Sequence, residues 1–324
     1  MSRHTSIIVS TVVILFAQAA AAGEKWDMPL AGGAANYHVE NTVRFARDVR
    51  EATDGALDIT VHPDGSLLKG NDIFRAVRNG TAPIGERLIS ALGNEDAIFE
   101  IDALPFLATS FEDALRLHEA AKPALEKVLT IKGVKLLYAV PWPPLGLYVK
   151  KPVTSAADMA GVTFRVNNAA TSRLAELLGA IPAKVEADEL AKAFASGIAT
   201  SMISSGSTGY DRKIWQHVKY WYDAHAWLPK NMVVVNLTAW NALNEVTKAA
   251  VLKAAADAEA RGWARARERA AWYKKKFAEN GMVVGPPSER LQAEFKAIGA
   301  KMMEEWLERA GDHGRKAINA YRKM

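Results

Sequence analysis

A near-continuous helical segment between Asn244 and Asn280 constrains the fold of this chain more than any other stretch. Its length of about 37 residues exceeds the usual range for a helix within a globular domain. A helix of that length can bridge two lobes of one protein. The total length of 324 residues also indicates two domains or one large one.

Short apolar strands alternate with helices along most of the remaining chain. The apolar spacing from Val39 to Val49 predicts a helix that ends at Gly55. Strands are predicted within 56–68, 134–142, 161–168, 198–205 and 231–240. This alternation predicts an α/β fold with mostly parallel strand pairing.

The first 22 residues carry the pattern of a secretory signal peptide. Arg3 supplies a positive charge, an apolar run follows from Ile7 to Phe16, and small residues then precede Gly23. The apolar run is shorter than the roughly 20 residues that an anchor needs to span a bilayer. We therefore expect export with cleavage near Ala22, whereas an uncleaved segment would tether the same domain outside.

Several classes of function lack their sequence signatures. The chain has no cysteine, which excludes thiol catalysis and cysteine-based zinc sites. Its seven histidines are scattered without an i, i+4 pair, and the motifs of serine hydrolases, zinc proteases and P-loop proteins are missing. The net charge of +5 is spread along helices, so nucleic acid is not an expected partner. We expect no catalytic residues, no metal and no cofactor.

Arg165 is the strongest single indication of function. It stands between Phe164 and Val166, in a stretch that alternates as a buried strand does. A buried guanidinium costs several kcal/mol to desolvate unless it is paired, and its partner is either an internal Asp or Glu or an anionic ligand. A carboxylate ligand would accept two hydrogen bonds from it. Asn167 and Asn168 follow at the carboxyl end of the strand, where ligands of open α/β sheets bind, and this placement favours a ligand.

The tryptophans give a second indication. Trp142 lies in a proline-rich turn, PWPPLG, at the end of a predicted strand. An aromatic side chain there lines a pocket or anchors the crossing chain, and the sequence leaves both interpretations open. Trp215, Trp221 and Trp227 are expected to pack the segment 213–229 onto its own lobe.

These segments together resemble one protein family. The stretch SAADMAGVTFRVNNAAT (155–171) is similar to the segment S-x-x-D-x-x-G-x-x-x-R-V-x-x of solute-binding proteins of tripartite ATP-independent periplasmic (TRAP) transporters, the DctP-like family. The segments 45–68 and 102–117 resemble its early helix–strand–turn unit and its LPF segment. The long helix resembles the family's interlobe helix, and the order of these segments is more specific than any one of them.

The resemblance implies a two-lobed periplasmic binding protein with a hinge, crossing strands and a long interlobe helix. Lobe I would comprise 23–142 plus about 230–270, and lobe II 143–229 plus about 271–324. The implied function is capture of a small organic acid in the periplasm and its delivery to the small and large membrane subunits of a permease. The protein would then not be an enzyme. A ligand-sensing protein for a receptor and an exported hydrolase are the alternatives.

The resemblance also assigns site residues. The carboxylate-binding arginine of the family falls on Arg165 and the following asparagine on Asn168. A polar position after a strand falls on Ser204 or Ser205, the first cleft position falls near Asn36 and Tyr37, and a crossing loop falls at Glu86 to Ser90. With Trp142, the predicted ligand-binding residues are Tyr37, Asn36, Glu86, Trp142, Arg165, Asn167, Asn168, Ser204 and Ser205.

One departure from the family concerns the ligand. Members that bind sugar acids carry a further arginine in the crossing strand, near Leu145 here, where this chain is apolar. The departure argues against a heavily hydroxylated or doubly anionic ligand. We expect a monocarboxylate with an apolar or aromatic body, such as an aromatic or a 2-oxo or 2-hydroxy acid, covered by Trp142 and Tyr37.

Overall fold

The protein is described here by a computed structural model of residues 23–324, and the predicted signal peptide at 1–22 lies outside the described residues. The strands within that range are Glu24–Pro29 (β1), Leu57–His62 (β2), Ile84–Leu88 (β3), Val134–Pro141 (β4), Leu145–Val149 (β5), Thr163–Val166 (β6), Ile181–Lys184 (β7), Ser201–Ser205 (β8), Tyr220–Tyr222 (β9), Lys230–Asn236 (β10) and Val283–Gly285 (β11). The α-helices are Tyr37–Ala52 (α1), Gly70–Arg78 (α2), Phe111–Ile131 (α3), Ala169–Leu177 (α4), Leu190–Ser196 (α5), Gly206–Asp211 (α6), Leu237–Ala242 (α7), Glu245–Glu279 (α8) and Glu289–Lys323 (α9).

The strands form two groups. In the first group, β1 pairs with β2 and β10 lies between β3 and β4. The second group is one six-stranded sheet in the order β11-β9-β5-β8-β6-β7. Helices pack against both groups, and the α/β class predicted from the alternation of elements is confirmed.

The expectation of mostly parallel pairing is wrong. Four strand pairs are parallel and four are antiparallel. The reason is the course of the chain, which leaves the first group after β4 and returns to it with β10. Because the returning strand enters from the other group, it runs antiparallel to both of its neighbours.

Two segments cross between the groups side by side. Residues 141–145 lead from β4 to β5, and residues 226–230 lead back into β10. The amide of Trp142 donates to the carbonyl of Pro229 at 2.8 Å, and the amide of Leu145 donates to that of Trp227 at 3.1 Å. Such a narrow paired connection is a place where two bodies can hinge.

One long helix also spans both groups. α8 follows Asn244, whose side chain accepts a hydrogen bond from the amide of Thr247 at 2.8 Å. Near its start, Val251 packs in the core of the first group, and near its end Phe277 packs in the core of the second. The predicted long helix between two lobes is confirmed.

The last helix divides its packing in the same way. Phe295 packs in the core of the second group, whereas Trp306 and Ile318 pack in the core of the first. The helix kinks at Gly311, between Trp306 and Ile318 and thus within the part that packs on the first group, and the φ of +56° there favours glycine. The predicted lobe bounds, 23–142 plus about 230–270 and 143–229 plus about 271–324, stay a prediction. We propose that lobe I also includes the end of α9.

None of the helices within residues 23–324 combines the length and apolar character that crossing a membrane requires.

Candidate ligand-binding cleft

A cavity of about 110 Å³ lies between the two strand groups, beside the crossing segments. Its apolar wall includes Ala31, Leu88, Trp142, Leu145, Ile203, Trp227 and Pro229. Its polar lining consists of Glu86, Arg87, Arg165, Asn167, Asn168, Thr171, Glu186, Ser204, Ser205, Thr208 and Asn231. A cavity of this size suits a ligand much smaller than a drug-sized molecule.

Arg165 is a buried cation on the wall of this cavity. It lies on β6, between β7 and β8, and is 4% exposed. Its Nε donates to the carbonyl of Val185 at 2.9 Å, and within residues 23–324 its guanidinium forms no ion pair with a carboxylate. Burial lowers the pKa of Arg165 to about 10, with Glu186 opposing the shift, so the group remains charged at neutral pH. The internal ion pair considered from the sequence therefore lacks its acidic partner in the described chain.

The two asparagines after β6 both lie on the cavity. The Asn168 side chain begins α4 by accepting a hydrogen bond from the amide of Thr171 at 2.8 Å. Its amide nitrogen also donates to the Ser90 hydroxyl at 2.9 Å, which joins the two strand groups. Asn168 thus fixes the start of α4 and the closure of the cleft together.

Ser204 and Ser205, at the end of β8, have different structural roles. The Ser205 hydroxyl begins α6 by accepting from the amide of Thr208 at 3.1 Å. Ser204 faces the cavity, and its hydroxyl makes no hydrogen bond with the described residues. Its donor and its lone pairs are therefore available to a ligand.

Trp142, Asn231 and Glu86 form a hydrogen-bonded chain along the opposite wall. The indole Nε1 of Trp142 donates to Asn231 Oδ1 at 2.9 Å, and Asn231 Nδ2 donates to Glu86 Oε1 at 2.9 Å. Because the indole can only donate, this chain fixes the orientation of the Asn231 amide. Trp142 therefore lines the cavity and also orients a polar neighbour.

Asn36 and Tyr37 do not line the cavity. Asn36 precedes α1, and its amide nitrogen donates to Ser207 Oγ at 3.1 Å and to Asp211 at 2.6 Å. Tyr37 donates to the carbonyl of Pro141 and lies behind Trp142, with ring centroids 6.0 Å apart. Both side chains support the wall of the cleft from outside it.

Several lining residues were not among the predicted ligand-binding residues, and these include Arg87, Glu186, Trp227 and Asn231. Trp227 packs in the core of the second group as expected, but it also borders the cavity. Arg87 follows Glu86 in the short strand IGERL, and two adjacent charges in so apolar a strand were the available signal. No local sequence pattern indicated Asn231, because its approach to Trp142 depends on the pairing of β10 with β4.

Polar contacts close the cleft at its rim. Each joins an early segment of the first group to the second: Asn36–Asp211 at 2.6 Å, Asp64–Arg212 at 3.5 Å, Lys69–Asp188 at 2.7 Å, Asn71–Glu186 at 2.9 Å and Ser90–Asn168 at 2.9 Å. Arg87 also donates to Asn71 at 2.7 Å and lies 3.8 Å from Glu186. Opening the cleft would break these contacts together.

The described residues contain no cluster of three or more His, Asp or Glu side chains that could hold a metal ion. The chemistry of the cavity is that of a binding site for an anion. Two buried guanidinium groups, those of Arg165 and Arg87, surround it together with two carboxyl groups, hydroxyl and amide groups, and two indole rings.

Comparison with known proteins gives one family. The model of the bacterial extracellular solute-binding protein family 7, DctP, matches residues 32–309. A curated relative, a solute-binding protein of Albidiferax ferrireducens, is 26% identical over 168 residues, which cover 51% of this chain and 49% of that protein. The alignment thus spans about half of that relative's length.

Solved structures match over nearly the whole length. A Bordetella pertussis extracytoplasmic solute receptor that binds pyroglutamic acid, DctP6, has a TM-score of 0.92 and 44% identity, covering 93% of this chain and 100% of its own. A TRAP solute-binding protein from a marine metagenome, specific for pyroglutamate, has a TM-score of 0.92 and 46% identity, covering 94% and 100%.

Proposed function

The chain belongs to the bacterial extracellular solute-binding protein family 7 as a TRAP solute-binding protein for small organic acids, and we propose that its ligand is pyroglutamate. The observation that carries the proposal is Arg165, a buried guanidinium without an acidic partner beside a small cavity. A carboxylate supplies that partner through two charge-assisted hydrogen bonds.

The chemistry of pyroglutamate suits the rest of the lining. It is a five-membered lactam with one carboxylate, a ring N–H, a ring carbonyl and an apolar edge of two methylene groups. The Ser204 hydroxyl and the Asn231 amide offer hydrogen bonds to the lactam, and the rings of Trp142 and Trp227 offer apolar surface. The high identity to two pyroglutamate receptors supports the same ligand.

The proposal narrows the expectation from the sequence. A small monocarboxylate was expected, and the family of organic-acid receptors agrees with a carboxylate ligand. Pyroglutamate is neither aromatic nor a 2-oxo or 2-hydroxy acid, however. The apolar contact predicted for Trp142 and Tyr37 is reassigned in our proposal to Trp142 and Trp227, because Tyr37 does not line the cavity.

Pyroglutamate should raise the melting temperature of the purified protein. A ligand at 100 times its dissociation constant stabilises the folded state by about 2.7 kcal/mol, which corresponds to roughly 5 °C or more. Cyclopentanecarboxylate is the matched control, since it keeps the ring and the carboxylate but lacks both lactam groups. We expect it to bind at least tenfold more weakly in calorimetric titration. A larger shift with a 2-oxo or 2-hydroxy acid than with pyroglutamate would reject the ligand we propose.

The same samples distinguish a receptor from an exported hydrolase. We propose that the protein binds its ligand without turnover, so pyroglutamate recovered after prolonged incubation should be chemically unchanged by mass spectrometry. Appearance of glutamate, the product of lactam hydrolysis, in proportion to protein and time would favour the enzyme.

Trp142→Phe should weaken binding of pyroglutamate about two- to tenfold, because it keeps an aromatic wall but removes one neutral hydrogen bond. The lost indole N–H is the group that orients Asn231. Trp215→Phe is the matched control, since Trp215 packs in the second group away from the cavity. Equal affinities of the two variants, measured calorimetrically, would contradict a role for the indole N–H.

The family is extracytoplasmic, and we propose that this chain is exported by the segment 1–22 with cleavage near Ala22. We further propose that the closed, liganded form delivers its ligand to the small and large membrane subunits of a TRAP permease. Genes for those two subunits beside this one would support transport rather than delivery to a sensor.

A further inference from the structure

Glu86 is a buried carboxyl group on the wall of the cavity. It lies on β3, is 3% exposed and faces α1. Its Oε1 accepts the hydrogen bond from Asn231 at 2.9 Å. Its Oε2 lies 3.4 Å from Thr42 Oγ1 and 4.0 Å from His38 Nδ1.

The hydroxyl of Thr42 indicates where a proton lies. Thr42 Oγ1 is 2.9 Å from the carbonyl oxygen of His38, which can only accept. Since a hydroxyl has one hydrogen, that hydrogen points to His38 and Thr42 presents a lone pair to Glu86. An ionised Oε2 would therefore face a lone pair, whereas a protonated Oε2 would donate into it.

The groups packed around Glu86 do not supply a positive charge to it. On α1, burial lowers the pKa of His38 to about 3, so its ring is neutral, and neither ring nitrogen has a hydrogen-bond partner. On β4, the buried Tyr138 is a neutral phenol with a raised pKa. Arg87, the next residue on β3, is directed to Asn71 and Glu186, and Lys230 on β10 is paired with Asp102.

The pKa of Glu86 reflects the same surroundings. Burial raises it to about 7, against the opposing hydrogen bond from Asn231. Geometry and burial therefore agree in favouring the neutral acid below neutral pH.

We propose that Glu86 is a neutral carboxylic acid when the ligand is bound, and that it thereby determines the charge specificity of the cleft. Above neutral pH, where Glu86 is ionised in the ligand-free protein, a monoanion then binds with uptake of one proton. With Glu86 neutral, the charged lining residues Arg87, Arg165 and Glu186 sum to one positive charge, which one carboxylate neutralises. With Glu86 ionised they sum to zero, and the same ligand would leave the cleft negative. The inference rests on the proposed monocarboxylate ligand.

The sign of the pH dependence follows from this linkage. Pyroglutamate is an anion throughout pH 5.5–8.5, and it favours protonated Glu86, so binding raises the pKa of that carboxyl group. Affinity is then highest below the ligand-free pKa and falls as pH rises through it, by up to tenfold per pH unit. We expect the dissociation constant to be at least tenfold higher at pH 8.5 than at pH 5.5. Titration in phosphate and in Tris buffer should show proton uptake that grows above pH 7.

Glu86→Gln replaces the neutral acid by an uncharged group of the same shape. The ratio of the dissociation constants at pH 8.5 and pH 5.5 should fall close to one, and proton uptake should vanish. Glu186→Gln is the matched control, since it removes the other carboxylate of the cavity and should keep the pH ratio of the wild type. A wild-type ratio in Glu86→Gln, or proton release on binding to the wild type, would overturn the proposal.

A measurement without ligand separates this inference from the ligand assignment. Carboxyl carbons of ¹³C-labelled ligand-free protein can be titrated by NMR, with Glu86 assigned through its backbone. A midpoint near pH 7 is expected, and a midpoint near 4.5, the ordinary value for Glu, would overturn the proposal whatever the ligand. Failure of pyroglutamate to bind the wild type at any pH would instead reject the ligand assignment.

Discussion

Arg165→Ala is expected to bind pyroglutamate at least 100-fold more weakly than the wild type. Two hydrogen bonds between a guanidinium and a carboxylate contribute about 1.5–3 kcal/mol each, and about 2.7 kcal/mol already corresponds to 100-fold. The ligand-free protein should keep its melting temperature within a few degrees. The substitution removes a buried charge that has no acidic partner, and costs only the hydrogen bond to the carbonyl of Val185.

Two further variants make the experiment specific. Arg165→Lys should recover only part of the affinity, because an ammonium group cannot form the planar pair of bonds. Arg173→Ala removes an arginine from α4 that pairs with Glu305 outside the cavity, and it should bind as the wild type does. A large loss of melting temperature in ligand-free Arg165→Ala, with affinity nearly intact, would show that Arg165 stabilises the fold instead.

The sequence located Arg165 because a charge in an apolar strand is costly and therefore informative. The polar residues that follow the same strand, Asn167 and Asn168, could be found for the same reason. Ser204 required the family resemblance, since a serine after a strand is common. Its position on the cavity depends on β8 lying beside β6.

Other parts of the cleft could not be found from local pattern. Asn231 and Trp142 meet only because residues 226–231 return beside residues 141–145, and no local pattern encodes that pairing. Asn36 was placed in the cleft by resemblance, yet its side chain is occupied by the start of α1, Ser207 and Asp211. The antiparallel strands were missed for a related reason, because α/β alternation does not reveal when a chain leaves a lobe and returns.

The packing of α9 leads to the largest expected effect on stability. Trp306 is fully buried, and its indole Nε1 donates to the carbonyl of Ala97 at 2.7 Å. Trp306→Ala should destabilise the protein by about 3–5 kcal/mol, since it opens a large cavity in the core of the first group and removes the hydrogen bond to the partly buried carbonyl of Ala97. We expect a fall in melting temperature of roughly 10 °C.

Trp272→Ala is the matched control, because it removes a half-buried indole of α8 that lies at the edge of its core. Its effect should be clearly smaller, about 1–2 kcal/mol, because less apolar surface is lost. Both variants should bind pyroglutamate as the wild type does at a temperature where they remain folded, since neither indole lines the cavity. If α9 packed only on the second group, Trp306→Ala would destabilise the protein no more than the control does. Equal melting temperatures of the two variants would therefore contradict the assignment of the end of α9 to lobe I.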